Sequence, residues 1–195
     1  MISDELKDLA LQTIQSPREA ARRIMGTPLS RDALWSGLVL AAAINAILYS
    51  LSLFGVDTSV LPPLLSNPLM FFFLITGVLV ITVHAFFWTG KMIGGQGDLG
   101  DLLKLMVWLQ ILRAGAQAIM LVLMLVAPFL AQLFSLVVGV LGLWITVNFL
   151  TEGLQLRSLM QGVGVLILSA VGIIFGLLVL VALIGTATLG VPANV

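Results

Sequence analysis

Residues 102–150 read LLKLMVWLQILRAGAQAIMLVLMLVAPFLAQLFSLVVGVLGLWITVNFL, and this stretch decides the fold. Lys104 and Arg113 are its only charged residues. Ala127-Pro128 divides it into two apolar runs, 102–126 and 129–150. Each run supplies the about 20 apolar residues that a helix needs to cross a bilayer. The runs are continuously apolar, not alternating, which excludes membrane β-strands. A helix also satisfies its backbone hydrogen bonds internally, as the hydrocarbon core demands. The break at Ala127-Pro128 is very short, so the two helices are expected as antiparallel neighbours.

Working outward, three more runs qualify, at 33–55, 69–90 and 161–189. Pro62-Pro63 and Asn67-Pro68 separate the first two, because proline and the residue before it leave the helical region. The expected fold class is an all-α integral membrane protein, with five transmembrane helices preceded by short cytoplasmic interfacial helices. Composition agrees. The chain has 195 residues, 60% hydrophobic and 9% charged, with mean hydropathy +1.17. A soluble domain carries about 25% charged residues, and a chain of this size has too little interior to hide so much apolar surface. The formal net charge is zero, which excludes a nucleic-acid binder. There is no cysteine, hence no disulfide, thiolate metal site or thiol nucleophile.

Two regions follow: a cytoplasmic amphipathic and basic segment, 1–32, and the five-helix bundle, 33–195. The segment is mixed in charge and lacks the short apolar core and A-x-A site of a cleaved signal. Ser3 is a candidate N-cap for a first short helix. Ser16-Pro17-Arg18-Glu19 has the letters of a capping box with proline at the first helical position. Arg18, Arg22, Arg23 and Arg31 are expected to lie along the anionic cytoplasmic leaflet, which attracts such residues by about 1 kcal/mol each.

Orientation follows from Lys and Arg. Lys7, Arg18, Arg22, Arg23, Arg31, Lys91, Lys104 and Arg157 fall on one side of a five-span thread, and none on the other. The N-terminus is therefore expected in the cytoplasm and the C-terminus outside it.

The remaining basic residue, Arg113, is the most informative one. A guanidinium inside a span costs a few kcal/mol or more unless it finds partners, and no Asp or Glu lies deep in any span. Gln110 and Gln117 share its face at i−3 and i+4. Asn45 lies at similar depth, with His84 and Asn148 nearer the cytoplasmic ends. These six residues are the expected polar cluster, with Arg113 at its centre and open to water from the cytoplasm. His84 is the only histidine, too little for a zinc site, and no Ser/His/acid arrangement forms a triad. Neither metal nor cofactor is expected. Gly95-Gln96-Gly97-Asp98-Leu99-Gly100 matches G-x-G-x-x-G but follows a membrane helix rather than a strand, so it reads as a flexible turn. Gly172 and Gly176 form a G-x-x-x-G step, and Gly139 and Gly142 are further small residues. Such steps suit close helix packing, within the chain by default or in a homo-oligomer.

Two stretches carry a family likeness. One is Ser16-Pro17-Arg18-Glu19-Ala20-Ala21-Arg22-Arg23-Ile24, a proline-led basic helix before the first span. The other is Gly94-Gly95-Gln96-Gly97-Asp98-Leu99-Gly100-Asp101-Leu102-Leu103, a glycine-rich connection running into the third. With five spans and a cytoplasmic N-terminus, the chain resembles the Yip domain family, membrane proteins named for interacting with Ypt/Rab GTPases. The segment before the first span is short, and the third span has Trp108 without the following proline that many members carry. The bacterial members are thus the nearer relatives. That implies a bacterial inner membrane, a periplasmic C-terminus and no settled catalytic residue.

The favoured reading is a non-enzymatic membrane protein that organises membrane or partner proteins. Its partners would be the bilayer, anionic lipid headgroups and possible protein partners, with no nucleic acid. The rival is a small channel or transporter for ions, anions or lipids, with a polar path past Arg113.

Overall fold

The computed structural model describes residues 2–54, 57–59 and 61–188, with the side chains of 2, 3, 63 and 180–188 outside the description. Its elements are α1 (Ile2–Gln15), α2 (Pro17–Met25), α3 (Arg31–Ser52), α4 (Pro63–Ser66), α5 (Pro68–Met92), α6 (Leu99–Val126), α7 (Pro128–Gly153) and α8 (Leu159–Thr188). No strand occurs among the described residues. Five helices are long and apolar enough to cross a membrane: α3, α5, α6, α7 and α8 over Leu159–Val179. The expected span ends at residues 55 and 189 lie outside the described residues.

Local chemistry explains where the spans begin. Ser30 Oγ accepts the Ala33 N–H at 3.2 Å and caps α3. Asn67 Oδ1 accepts from Leu69 and Met70 N–H at 2.9 and 3.2 Å, with Pro68 pre-set at the first position of α5. Asp98 Oδ2 accepts the Gly100 N–H at 2.7 Å and caps α6. Ala127 alone joins α6 to α7, which pack as neighbours. Ser16 behaves otherwise. Its N–H donates to Gln12 O at 2.7 Å, holding it in the last turn of α1, and its side chain makes no cap. α1 starts at Ile2, so Ser3 is inside the helix, with its side chain outside the described residues.

The spanning helices touch in a closed circuit: α3 to α6, α6 to α7, α7 to α8, α8 to α5, and α5 back to α3. The circuit is packed at one end. Leu34 and Leu38 of α3, Val83 and Phe86 of α5, Leu102, Leu105 and Met106 of α6, Phe149 and Leu150 of α7 and Val165 of α8 are buried. All lie where α3, α6 and α8 begin and where α5 and α7 finish. Lys91, Lys104 and Arg157 sit at that end, here termed the basic end. Toward the far end Val122, Leu125, Val126, Phe129 and Leu136 are exposed. This outward apolar surface suits a lipid solvent, and the molecule is an all-α integral membrane protein that contacts the bilayer.

α1 and α2 are part of the same core. Ala20 and Ala21 are fully buried, and Ala21 and Ile24 join the apolar cluster of the spanning helices. The small Ala20 and Ala21 let the α2 backbone approach α7, against which it packs.

The glycine-rich connection between α5 and α6 is likewise packed rather than a flexible turn. The Gly97 N–H donates to Leu154 O at 3.0 Å, and the Gly95 N–H to Gly90 O at 2.8 Å. A Cβ on Gly97 would strike Gly153 O and sit 2.5 Å from Leu154 Cα. Glycine at 97 therefore permits two backbones to touch, joining the α5–α6 connection to the end of α7.

Candidate functional site

At the basic end, α2 runs beside the last turns of α7 in matched register. Arg18 Nε donates to Asn148 Oδ1 at 3.3 Å and lies 3.7 Å from Glu152 Oε1. One turn on, Arg22 Nε and Nη2 donate to the two Glu152 oxygens at 3.2 and 3.3 Å. This forked bond, joined by the nearby carboxylate charge, raises the Arg22 pKa above its ordinary value. Two positions four apart on α2 thus meet two positions four apart on α7, as side-by-side parallel helices require.

Three further side chains, Lys104, Trp108 and Arg23, lock the pair. Lys104 Nζ of α6 donates to Met25 O at 2.6 Å and to Asp101 Oδ1 at 3.0 Å. Trp108 Nε1 donates to the fully buried Thr13 Oγ1 at 3.0 Å, and that hydroxyl donates to Leu9 O at 2.7 Å. Arg23 Nη1 ties α2 to α1 through Asp8 Oδ2 at 2.8 Å and Gln12 Oε1 at 3.2 Å. Of the four arginines expected along the leaflet, Arg18, Arg22 and Arg23 are therefore engaged within the chain, while Arg31 stands exposed at the start of α3. Glu152 and Thr13 were not identified from sequence as site residues. The i, i+4 spacing shared by Arg18/Arg22 and Asn148/Glu152 was the signal available.

The second feature lies inside the circuit. Leu102, Met106, Leu109 and Arg113 follow one another along α6 at steps of four, three and four, so they share one stripe. Val107 on one flank of that stripe packs against Gly37 of α3, and Leu105 on the other against Gly153 of α7. The stripe therefore faces the space enclosed between α3 and α7. Leu102 and Met106 are buried there, but Arg113 is exposed and carries no hydrogen bond or ion pair among the described residues. At 1.5 Å per residue Arg113 sits about 20 Å from either end of α6.

The six residues expected as one cluster divide. Asn148 is taken by Arg18 at the basic end. His84 bonds Val80 O through Nδ1 at 2.8 Å and stacks on Trp35 with ring centres 5.7 Å apart, which turns it to α3. Gln110, Arg113 and Gln117 share the inward side of α6, and Asn45 is 2% exposed on the buried stripe of α3 with Leu34, Leu38 and Ala41. No hydrogen bond joins these four. Asn45 Nδ2 donates to Ala41 O at 2.8 Å, while Asn45 Oδ1 and Gln110 Oε1 are buried without a donor. Toward the far end the spanning helices are largely exposed, and in that open half Arg113 has no polar partner among the described residues.

The glycines expected to serve packing lie in that open half. Gly139, Gly142, Gly172 and Gly176 have nothing within 4 Å of where a Cβ would stand. Gly172 and Gly176 instead line an apolar groove between α5 and α8, with Ala85, Thr89 and Ser169. A second apolar groove, between α3 and α5, is lined by Ala46, Ile47 and Phe72. Glycines toward the basic end do pack, among them Gly37, Gly90, Gly95, Gly97, Gly153 and Gly162. Among the described residues no three His, Cys, Asp or Glu gather as a metal site.

A five-span α-helical membrane protein with an N-terminal helix pair docked on its bundle is the class these observations define. A family model, the Yip1 domain, matches residues 11–184, and the chain belongs to that family. The matched range takes in Thr13, Arg18 and Arg22 as well as all five spans. Comparison with curated proteins and with solved structures gave no match.

Proposed function

We propose that this Yip1-family protein is a non-enzymatic scaffold of the bacterial inner membrane. Its N-terminus lies in the cytoplasm, its C-terminus in the periplasm, and it organises membrane or partner proteins through the α1–α2 pair. The observation that carries this reading is the docking of α2 on α7 through Arg18, Arg22, Asn148 and Glu152. It makes a rigid platform of a segment that would otherwise be a tether, and it leaves Leu6, Leu11 and Ile14 of α1 exposed on that platform. Three apolar side chains held outward on a fixed helix suit a partner surface or the bilayer interface. Anionic headgroups beside Arg31 and a second copy of the chain belong to the same reading.

The chain contains no cysteine, so single-cysteine variants need no background removal. Cysteine at Leu11 in intact cells should resist a membrane-impermeant maleimide and react after lysis. It should also form a discrete photocrosslinked adduct that Glu152→Ala abolishes. Labelling in intact cells would reverse the orientation, and an adduct indifferent to Glu152→Ala would remove the platform.

A second reading, a small channel or transporter for ions, anions or lipids, is favoured by Arg113 standing exposed on the inward stripe. Flux through liposomes containing the wild type that Arg113→Leu abolishes would establish it over the scaffold.

A further inference from the structure

We infer that the open half of the helix circuit holds a binding site for a phosphate-bearing anion, with Arg113 as its cationic anchor and Gln110, Gln117 and Asn45 as its polar wall. The inference concerns binding alone, and stands whether the bundle scaffolds or transports.

Four observations converge. Arg113 continues the inward stripe of Leu102, Met106 and Leu109, so it points between α3 and α7 rather than outward. It is exposed there without an acid or a carbonyl to bond. The contact of Gly37 with Val107 sets α3 beside α6, and counting outward from it along the two parallel helices puts Asn45 within one turn of the level of Arg113. Two amide oxygens of this wall, Asn45 Oδ1 and Gln110 Oε1, are buried with no donor. Asn45 is 2% exposed, and a buried acceptor is ordinarily satisfied.

The chemistry of the missing group follows. It must bring negative charge for a guanidinium and a hydroxyl, ammonium or similar donor for the amide oxygens. A carboxylate or halide supplies only the first. A protonated phosphate supplies both, as does a phosphodiester headgroup with a hydroxyl or ammonium. A guanidinium also presents a planar fork that matches two phosphate oxygens. Met120 and Met124 follow Gln117 along the same side of α6 at steps of three and four, an apolar wall that suits acyl chains if the phosphate belongs to a lipid.

Met120 lies two turns beyond Arg113 on the inward side of α6, and Met120→Cys supplies a reporter thiol. The full chain carrying it is placed in nanodiscs of phosphatidylglycerol and phosphatidylethanolamine, or of a phosphate-free galactolipid, and thiol alkylation is timed. Alkylation is expected about tenfold slower in the phospholipid discs, the loss or gain typical of one charge-assisted contact. Arg113→Gln should erase the difference and Arg113→Lys should keep part of it. Inorganic phosphate added to the galactolipid discs separates the sources: protection identifies free phosphate as sufficient, and none identifies the lipid headgroup. Equal rates in both lipids without phosphate effect overturn the inference, as does protection that survives in Arg113→Gln. Should Arg113→Gln fail to assemble, the lipid and phosphate comparison on the Arg113 protein decides alone.

Discussion

Gly97→Ala should destabilise the protein by about 2–4 kcal/mol although it adds a single methyl group at a connection. The new Cβ meets the Gly153 carbonyl oxygen and stands 2.5 Å from Leu154 Cα and 2.8 Å from Gly153 C. All of these are backbone atoms, so no side chain can swing away. Ordinary contact distance would require the two backbones to part by about 1 Å. That parting stretches the Gly97 N–H to Leu154 O bond from 3.0 Å to a length at which it contributes little. Such a bond is worth about 1 kcal/mol, and overpacking of this kind typically costs about 1–3 kcal/mol. For a chain of this size the sum corresponds to a drop of roughly 5–15 °C in the thermal midpoint. The comparison is Gly139→Ala, at a helical site with nothing within 4 Å of the added carbon. It should be neutral or stabilising by up to about 1 kcal/mol, since alanine is the better helix former. Both are measured by thermal unfolding of the purified protein in detergent. Equal midpoints for Gly97→Ala and wild type would refute the packed joint and restore a flexible connection.

Three further outcomes are expected. Trp108→Phe leaves the buried Thr13 hydroxyl without its indole donor and should cost about 1–3 kcal/mol while loosening α1, read as faster amide exchange over residues 9–15; unchanged exchange there would contradict the docking of α1. Gln155 holds a φ of 51° just past α7, and the Leu156 N–H bonds Thr151 O at 2.8 Å, a helix stop that favours glycine. Gln155→Gly should therefore raise the midpoint by a few degrees, about 0.5–1 kcal/mol, and a lowered midpoint would argue against that conformation. Asp57 accepts the Ser59 N–H at 2.9 Å, which holds its carboxyl below the ordinary aspartate value. The contribution of that bond is present above the ordinary value and is lost as pH falls through the lowered one. A carboxyl NMR titration should place the Asp57 midpoint below that of a model aspartate; a midpoint at or above it would exclude the turn.

Hydropathy made the five spans legible because lipid imposes one requirement along a whole helix, and a run such as 129–150 meets it without reference to any partner. Caps are equally local, since Ser30 and Asp98 act on backbone within a few residues, yet Ser16, which has the letters of a cap, is held in the last turn of α1 instead. Contacts across the chain were not. Arg18 and Arg22 read as a leaflet-facing pair until Asn148 and Glu152 are seen beside them, 130 positions away. Glycine was ambiguous in a different way. Gly172 and Gly97 look alike in sequence, yet one lines an open groove and the other lets two backbones meet. What a glycine permits depends on what stands opposite, and that is a tertiary fact.

The zero net charge gains meaning from how the charges are spent. At the basic end Arg18 and Arg22 meet Glu152, Arg23 meets Asp8 and Lys104 meets Asp101. Arg23–Asp8 and Lys104–Asp101 are neutral pairs, while Arg18 and Arg22 share the single Glu152 carboxylate, and together these contacts fasten α1 and α2 to the bundle. Arg113 stands outside that arrangement, about 20 Å along a helix from either end. A lone guanidinium at mid-bilayer costs about 2.5–3.5 kcal/mol on insertion scales, and no acid on any spanning helix lies within reach to lower that. Hydrogen bonds to a charged group return about 1.5–3 kcal/mol each, so one forked contact offsets the insertion cost, and a phosphate adds the opposite charge that a neutral acceptor lacks. The counter-charge that balances Arg113 must therefore come from outside the chain. A membrane rich in phosphodiesters is the nearest source of it.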